Sequence, residues 1–377
     1  MKIVFVATAQ VPSDRANSIQ VMKVCQAFTQ LDHEVTLLLP DIPPVRDKRD
    51  WESLSVHYGL AARFQIEWLP VPALAGRRGY IHRAVLRARQ LQADILYTRV
   101  IPAAVWGLLH RLPVILEMHD MPGGLFGPIG YRMFLRWPGK KRLLPLTNSL
   151  RQMLDTVYQP CLPEGQVLVS PSGVDLERFE NLPDPELARR QLGLPPGPIV
   201  VCTGHLYPGR GMDLFLQLAS RMPQIHFLWV GGNPADVVTW REHASNRNIL
   251  NVAFSGFIPN RELPLYQAAA DVLVMPYQAS VAGSSGGDIA RVFSPLKMFE
   301  YMATGRAILC SNLPALREIL TDDVACFAPV DDVDAWQIAL ERLLSDHDFR
   351  NQLAQAARTD AGRYSWLERS RRALKDF

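Results

Sequence analysis

Lys297 and Glu300 stand three residues apart in SPLKMFEYMATG, residues 294–305, which reads as the opening of a helix. Ser294 is a favourable N-cap and Pro295 a favourable first helical residue, so Lys297 falls third. A helix N-terminus carries partial positive charge and disfavours a cation there. An anion bound at this helix start would explain the lysine, because dipole and ammonium would then favour the same ligand. Glu300 shares that face and can accept hydrogen bonds from a vicinal diol such as a ribose. Phosphate beside ribose is a nucleotide. The plainer alternative is a local Lys–Glu surface pair. Leu296, Phe299 and Ala303 take another face, toward the core, and the small residues VAGSSGG, 281–287, lead into the helix.

A second anion cradle lies in IVVCTGHLYPGRGMDLFLQL, residues 199–218: strand, glycine turn, helix. Gly204, Gly209 and Gly211 allow close backbone approach, and Arg210 precedes the helix. The same residues also fit a tight strand-to-helix turn with a surface arginine. VILEMHD, residues 114–120, ends a strand-like run with Glu117, His119 and Asp120. A histidine there would face a ligand cleft or be a satisfied structural residue. DDVD at 331–334 contains a D-x-D, but it precedes an amphipathic helix, so capping is expected and no metal is assigned. GYRMFLRWPGKKRLL, residues 130–144, mixes Arg132, Arg136, Lys140, Lys141 and Arg142 with Tyr131, Phe134 and Trp137. Such a stretch can lie against anionic lipid headgroups or be a solvated helix face with its aromatics packed inward.

These residues need a scaffold that brings strand ends together. Short apolar runs recur at 3–7, 35–39, 66–69, 95–98, 114–117 and 144–147, with helical patterns such as 18–31 between them. A second series follows at 199–202, 226–230, 250–254, 272–275, 307–310 and 324–327. Continuous apolar strands indicate parallel sheets buried on both faces. Between the series lies a Pro- and Gly-rich stretch, 162–198, that reads as a hinge or linker. The expected fold is α/β, with two facing doubly wound domains and a cleft at the strand ends.

The 377 residues are enough for two domains, and 48% hydrophobic with 20% charged residues is ordinary for a soluble protein. The net charge of +3 gives no signal for nucleic acid, and no RNP, zinc-finger or basic-zipper pattern is present. Cys202, Cys310 and Cys326 sit in apolar runs and read as core residues in a reducing compartment. No apolar stretch is long enough to span a bilayer, and MKIVFVATAQ reads as a first strand, not a signal peptide. A cytoplasmic protein is expected, with room for peripheral contact at the inner face of the membrane. A dehydrogenase is disfavoured: the first loop, ATAQVPSDRAN, lacks G-x-G-x-x-G, and the second strand ends LLLP without an acid.

SPLKMFEYMATGRAIL, VCTGHLYPGRGMDLFLQLA, VSPSGVDLERF and the early ANSIQVMKVCQAFTQLDHEVTLLLP resemble the retaining glycosyltransferases of family 4. The resemblance implies the GT-B fold: an acceptor-binding Rossmann-like domain at 1–172, a nucleotide-sugar-binding domain at 173–360, and a last helix, 361–377, crossing back to the first. It gives Arg210 the diphosphate, Glu300 the ribose, and Phe293, Ser294, Pro295, Leu296 and Lys297 the phosphate and sugar oxygens. Gly204 and His205 join the donor site, Phe257 and Ile258 lie beside the base, and His119 contacts the transferred sugar. Asn17 and Ser18 lie near the acceptor or donor phosphate. Two positions depart from the family pattern: Val292 stands where a second acid is usual, and His205 where arginine is common.

The implied reaction is metal-independent, retaining transfer of a hexose from a nucleotide diphosphate sugar to a glycan or lipid-linked hydroxyl, in cell-surface glycan synthesis. Arg210, Lys297 and the helix N-terminus would stabilise the departing diphosphate. No cofactor beyond the sugar nucleotide is expected. The rivals are a sugar-nucleotide epimerase of similar fold and a binding protein without turnover, the latter motivated by Val292.

Overall fold

The computed structural model describes residues 1–42, 48–74, 76–282 and 287–377. The heart of the small-residue loop at 281–287, residues 283–286, lies outside the described residues. The chain divides into two compact units: Met1–Ser172 together with Trp366–Phe377, and Gly173–Ser365.

The first unit carries a sheet of β1 (Lys2–Val6), β2 (Glu34–Asp41), β3 (Gln65–Pro70), β4 (Ile95–Thr98), β5 (Val114–Met118) and β6 (Lys141–Pro145). Their order is β3-β2-β1-β4-β5-β6, all parallel. The second unit repeats the plan with β7 (Ile199–Thr203), β8 (His226–Val230), β9 (Val252–Gly256), β10 (Val272–Met275), β11 (Ala307–Ser311) and β12 (Cys326–Ala328). Its order is β12-β11-β10-β7-β8-β9, again parallel. Central strands such as β4, β7 and β10 are buried along their whole length, as sheets covered by helices on both faces require. Each order reverses once, between β1 and β4 and between β7 and β10. Ligands in such sheets sit beyond the carboxyl ends of the strands at these switch points.

The strand positions differ from the sequence reading in informative places. The run at 144–147 belongs to a strand that starts three residues earlier, at Lys141. Its two leading cations are buried because carbonyls satisfy them. Lys141 Nζ donates to the carbonyls of Phe134, Leu135 and Trp137 at 2.6–2.8 Å, closing the helix Gly127–Arg136. Arg142 donates to the carbonyls of Ala373 and Lys375 at 2.8 and 2.7 Å, closing the helix Trp366–Leu374. Strand β2 runs on to Asp41, so the second strand does end in an acid. That carboxylate is bound by Arg49 at 2.8 Å. The linker region is largely ordered and holds the helix Pro185–Leu192.

The helix near residue 294 also begins later than expected. It spans Leu296–Thr304, with Pro295 as N-cap and no side-chain cap, so Ser294 does not cap it and Lys297 is its second residue. Phe299 and Ala303 are core residues, whereas Leu296 is only half-buried.

Candidate active site

In the second unit the chemistry gathers at the β7/β10 switch point. Lys297 Nζ lies 5.0 Å from the ring centre of Tyr277 and 5.8 Å from that of Trp229. The Arg210 guanidinium lies 5.4 Å from the same Tyr277 ring. Two cations thus lie against one aromatic ring just past β10. Neither makes an ion pair among the described residues. Lys297 reaches the Cys202 sulfur at 3.6 Å. Burial raises that thiol's pKa despite the ammonium beside it, so it stays neutral and leaves the lysine charge uncompensated. Among the described residues the Arg210 side chain donates only to the Ala282 carbonyl, at 3.3 Å. The phenol hydroxyl of Tyr277 is buried and has no hydrogen-bond partner among the described residues. Phe293 packs edge-on against Tyr277, with ring centres 4.8 Å apart.

The glycines act differently from the expected ligand cradle. A Cβ on Gly211 would sit 1.6 Å from the Pro276 carbonyl oxygen, and one on Gly209 would sit 2.1 Å from the Ser280 carbonyl oxygen. Both have positive φ. They let the loop after β10 press against the turn after β7, which brings Tyr277 to Arg210. Gly204 is the glycine next to a cation: a Cβ there would lie 3.6 Å from Lys297 Nζ.

Glu300 is buried, and its Oε2 accepts from Gln267 Nε2 at 3.0 Å. Its other oxygen has no partner among the described residues. No salt bridge joins it to Lys297, which removes the surface-pair reading. His205 stacks on Tyr207 at 4.9 Å. Phe257 is exposed, and Ile258 packs on the unit's core. Asp288, a possible stand-in for an acid at Val292, accepts from the backbone N–H groups of Val281 and Ala290, both at 2.9 Å. One oxygen of its carboxylate is therefore held by its own loop. In the D-x-D segment, Asp332 caps the helix Val333–Ser345 and Asp334 pairs with Arg221.

The first unit holds a separate polar cluster at the carboxyl ends of β4 and β5. Glu117 is fully buried, with Oε2 accepting from Tyr97 and from Arg369 at 2.8 Å, and Oε1 from Gln20 at 3.0 Å and from His119. Arg99 Nη2 donates to His119 Nδ1 at 2.5 Å, and its Nη1 to Asn17 Oδ1 at 2.7 Å. A guanidinium can only donate, so His119 Nδ1 accepts and Nε2 carries the proton given to Glu117. Burial, reinforced by Arg99, lowers the His119 pKa to about 4, so the ring is neutral. Burial alone would raise the Glu117 carboxyl, yet Arg369, His119 and Arg99 together hold it well below its ordinary value. Asn17 and His119, given separate roles in the sequence reading, are joined here through Arg99. Ser18 turns away: its hydroxyl donates to the Ser13 and Arg15 carbonyls at 2.6 and 2.8 Å.

Tyr277, Arg99, Gln20 and Arg369 were not among the residues expected at a site. Arg99 directly follows the strand run ILYT and Tyr277 follows VLVM by one proline, so both occupy legible strand-end positions. Arg369 gives no such signal. Its partner is 252 residues away in the chain.

Two family models match this chain: Glycosyltransferase Family 4 over residues 18–178, and Glycosyl transferases group 1 over residues 197–346. Among solved structures, the fold matches sucrose-phosphate synthase from Thermosynechococcus elongatus with a TM-score of 0.76 at 17% identity, over 99% of this chain and 97% of that one. It also matches Anabaena HepE in complex with UDP and glucose, with a TM-score of 0.73 at 16% identity, over 100% and 99%. The architecture is that of a GT-B glycosyltransferase. A GDP-mannose-dependent alpha-(1-6)-phosphatidylinositol monomannoside mannosyltransferase of Mycolicibacterium smegmatis is 32% identical over 183 residues, 47% of this chain and 46% of the relative. An alpha-galactosylglucosyldiacylglycerol synthase of Streptococcus pneumoniae is 29% identical over 42% of this chain and 46% of its own. The chain spans about half the length of these curated relatives. A D-inositol 3-phosphate glycosyltransferase of Stackebrandtia nassauensis aligns further, at 26% identity over 84% of this chain and 75% of the relative. The chain belongs to the group 1 glycosyltransferases of family 4.

Proposed function

We propose that the chain transfers a hexose from a nucleoside diphosphate sugar to an acceptor hydroxyl, with retention, in glycolipid or cell-surface polysaccharide synthesis. The observation that carries this reading is the pair of cations without carboxylate partners among the described residues, Arg210 and Lys297, both lying against the ring of Tyr277. They lie where an α/β sheet binds ligands, and their unspent charge suits a diphosphate. Glu300, held by Gln267, offers its second oxygen to the ribose. Phe257 and Ile258 flank the base, and Gly204, His205 and residues 293–297 complete the donor site. In this reading the second unit takes the donor and the first the acceptor, with His119 against the transferred sugar and Asn17 near a phosphate.

As the bond from the sugar C1 to the β-phosphate oxygen breaks, the electron pair leaves with the diphosphate. Arg210, Lys297 and the helix N-terminus stabilise that charge. The acceptor oxygen bonds to C1 on the same face, and its proton passes to the departing phosphate oxygen. Glu117 is no nucleophile in this scheme, since both its oxygens are already occupied. Nor does the scheme use the D-x-D carboxylates, which cap a helix and bind Arg221, and we propose that turnover needs no metal.

The relatives named for phosphatidylinositol mannoside and diacylglycerol products support a lipid-linked acceptor at the inner face of the membrane. A donor screen tests the proposal. The intact protein is incubated with GDP-mannose, UDP-glucose and related donors, with and without a lipid extract. Release of nucleoside diphosphate with an α-linked product is expected. Saturable binding without release from any donor would leave a binding protein, and an isomerised donor an epimerase.

A further inference from the structure

The first unit carries a face that the sugar chemistry does not use. Three helices, Gly76–Gln90, Ile101–Leu109 and Gly127–Arg136, lie side by side on it. Direct contacts join them. His82 meets Trp106 edge-on at 4.9 Å, and Arg78 stacks 4.5 Å from the Phe126 ring. Gly130 faces Ile101 so closely that a Cβ would come within 3.1 Å of its methyl group. None of the three helices contains an aspartate or glutamate.

What they expose is apolar and basic together. Leu125 is 79% exposed, Phe126 57% and Ile129 53%, with Met133, Trp137 and Trp106 close behind. On the helix Gly127–Arg136 the exposed positions are Ile129, Arg132, Met133 and Arg136, which lie on one stripe. Tyr131, Phe134 and Leu135 fill the opposite, buried side. Arg77, Arg78 and Lys140 are exposed at its margins. The mixed basic segment of the sequence is thus divided. Lys141 and Arg142 turn inward to cap helices, and the aromatics Tyr131 and Phe134 pack, while the rest faces water.

We propose that this face docks on an anionic lipid bilayer, with Leu125, Phe126, Ile129 and Met133 entering the headgroup boundary and Arg77, Arg78, Arg132, Arg136 and Lys140 meeting the lipid phosphates. Large apolar side chains standing out in water at a loop and on one helical stripe are costly unless covered. Three neighbouring helices with no acid and several cations select a negative cover, and a face that also offers apolar groups suits a membrane interface. No helix among the described residues is long and apolar enough to cross a bilayer, so the docking is peripheral. This inference does not depend on the reaction proposed above.

The test is co-sedimentation of the intact protein with vesicles of phosphatidylcholine alone or mixed with phosphatidylglycerol. Binding is expected only to the mixed vesicles. Arg132→Glu with Arg136→Glu should lower the partition coefficient by at least about tenfold. Phe126→Ser with Ile129→Ser should lower it by a similar factor at low salt, where charge attraction is intact. Nucleoside diphosphate binding, read on the same variants by calorimetry, should be unchanged, which shows that they fold. Equal pelleting with neutral and anionic vesicles, or none with either, overturns the proposal. So does binding to the mixed vesicles that survives the Phe126 and Ile129 changes and is matched by heparin, since that would mark a general polyanion surface.

Discussion

Lys297 occupies the second position of a helix without a side-chain cap, over the face of Tyr277, with only a neutral thiol as hydrogen-bond partner among the described residues. Lys297→Ala should weaken nucleoside diphosphate binding by roughly 1.5–3 kcal/mol, the range for a hydrogen bond to a charged group. The melting temperature should stay level or rise slightly, because a cation leaves the positive end of the helix dipole. Unchanged affinity in a titration would remove Lys297 from the site. Tyr277 allows a finer cut. Tyr277→Phe keeps the ring that both cations lie against and deletes only the hydroxyl, which has no partner among the described residues. Stability should not fall, since a buried unsatisfied group is lost. A drop of about 1 kcal/mol in nucleoside diphosphate affinity would mark the hydroxyl as a ligand contact; an unaltered titration would leave only the ring in that role. His119 gives a pH signature. Its ordinary pKa of 6.5 is lowered to about 4 in the fold. Between those values the unfolded chain binds a proton that the native ring refuses, so stability falls as pH drops through that window. Glu117 extends the loss at lower pH, because its folded pKa lies well below its ordinary 4.5. In urea titrations from pH 7 to 4, His119→Asn should show a flatter decline than the parent protein. Parallel curves would mean that the ring titrates normally.

Among elements, the helix Trp366–Leu374 owes its place to two arginines. Arg369, itself buried, reaches in from this helix to Glu117, the Tyr97 hydroxyl and the carbonyls of Ser170 and Pro171. Arg142 reaches out from β6 to the last carbonyls of the same helix. The helix therefore supplies the main counter-charge for a carboxylate that also fixes the His119 tautomer. Arg369→Met leaves Glu117 buried and short of its cation, and should cost about 3–5 kcal/mol in urea denaturation. Adding Glu117→Gln should recover a large part of that loss, since the lone charge is gone. A single-variant loss under about 1 kcal/mol would mean that solvent reaches Glu117 and the cluster is not dry.

At the scale of the whole molecule, the same six-strand order is built twice, and each copy places polar residues at its own switch point. The second unit offers two cations that no carboxylate pairs among the described residues, and the first a balanced network around one buried carboxylate. The proposed division of labour puts charge stabilisation in the second unit. Turnover in excess chelator should accordingly equal turnover without it, as measured by release of nucleoside diphosphate. Abolition by chelator with recovery on adding magnesium or manganese would show that Arg210 and Lys297 do not suffice.

The strand runs, the helix between β1 and β2, the strand-end positions of His119 and Arg210, and the misplaced cation at 297 were all legible in the residue order. Each is a local property: a burial period, a glycine turn, or a charge at the wrong end of a dipole shows within one or two turns of chain. Tertiary structure alone decided which of those groups are spent and which are free. Asp288 looked available and has one oxygen held by its own loop, whereas Lys141 and Arg142 looked like surface charges and are buried on carbonyls. The glycines at 209 and 211 looked like a cradle for a ligand and instead admit the chain's own loop. A charge or a missing Cβ declares a need in the sequence. The partner that meets it, as Glu117 meets Arg369 across 252 residues, is set by how the sheets and helices pack.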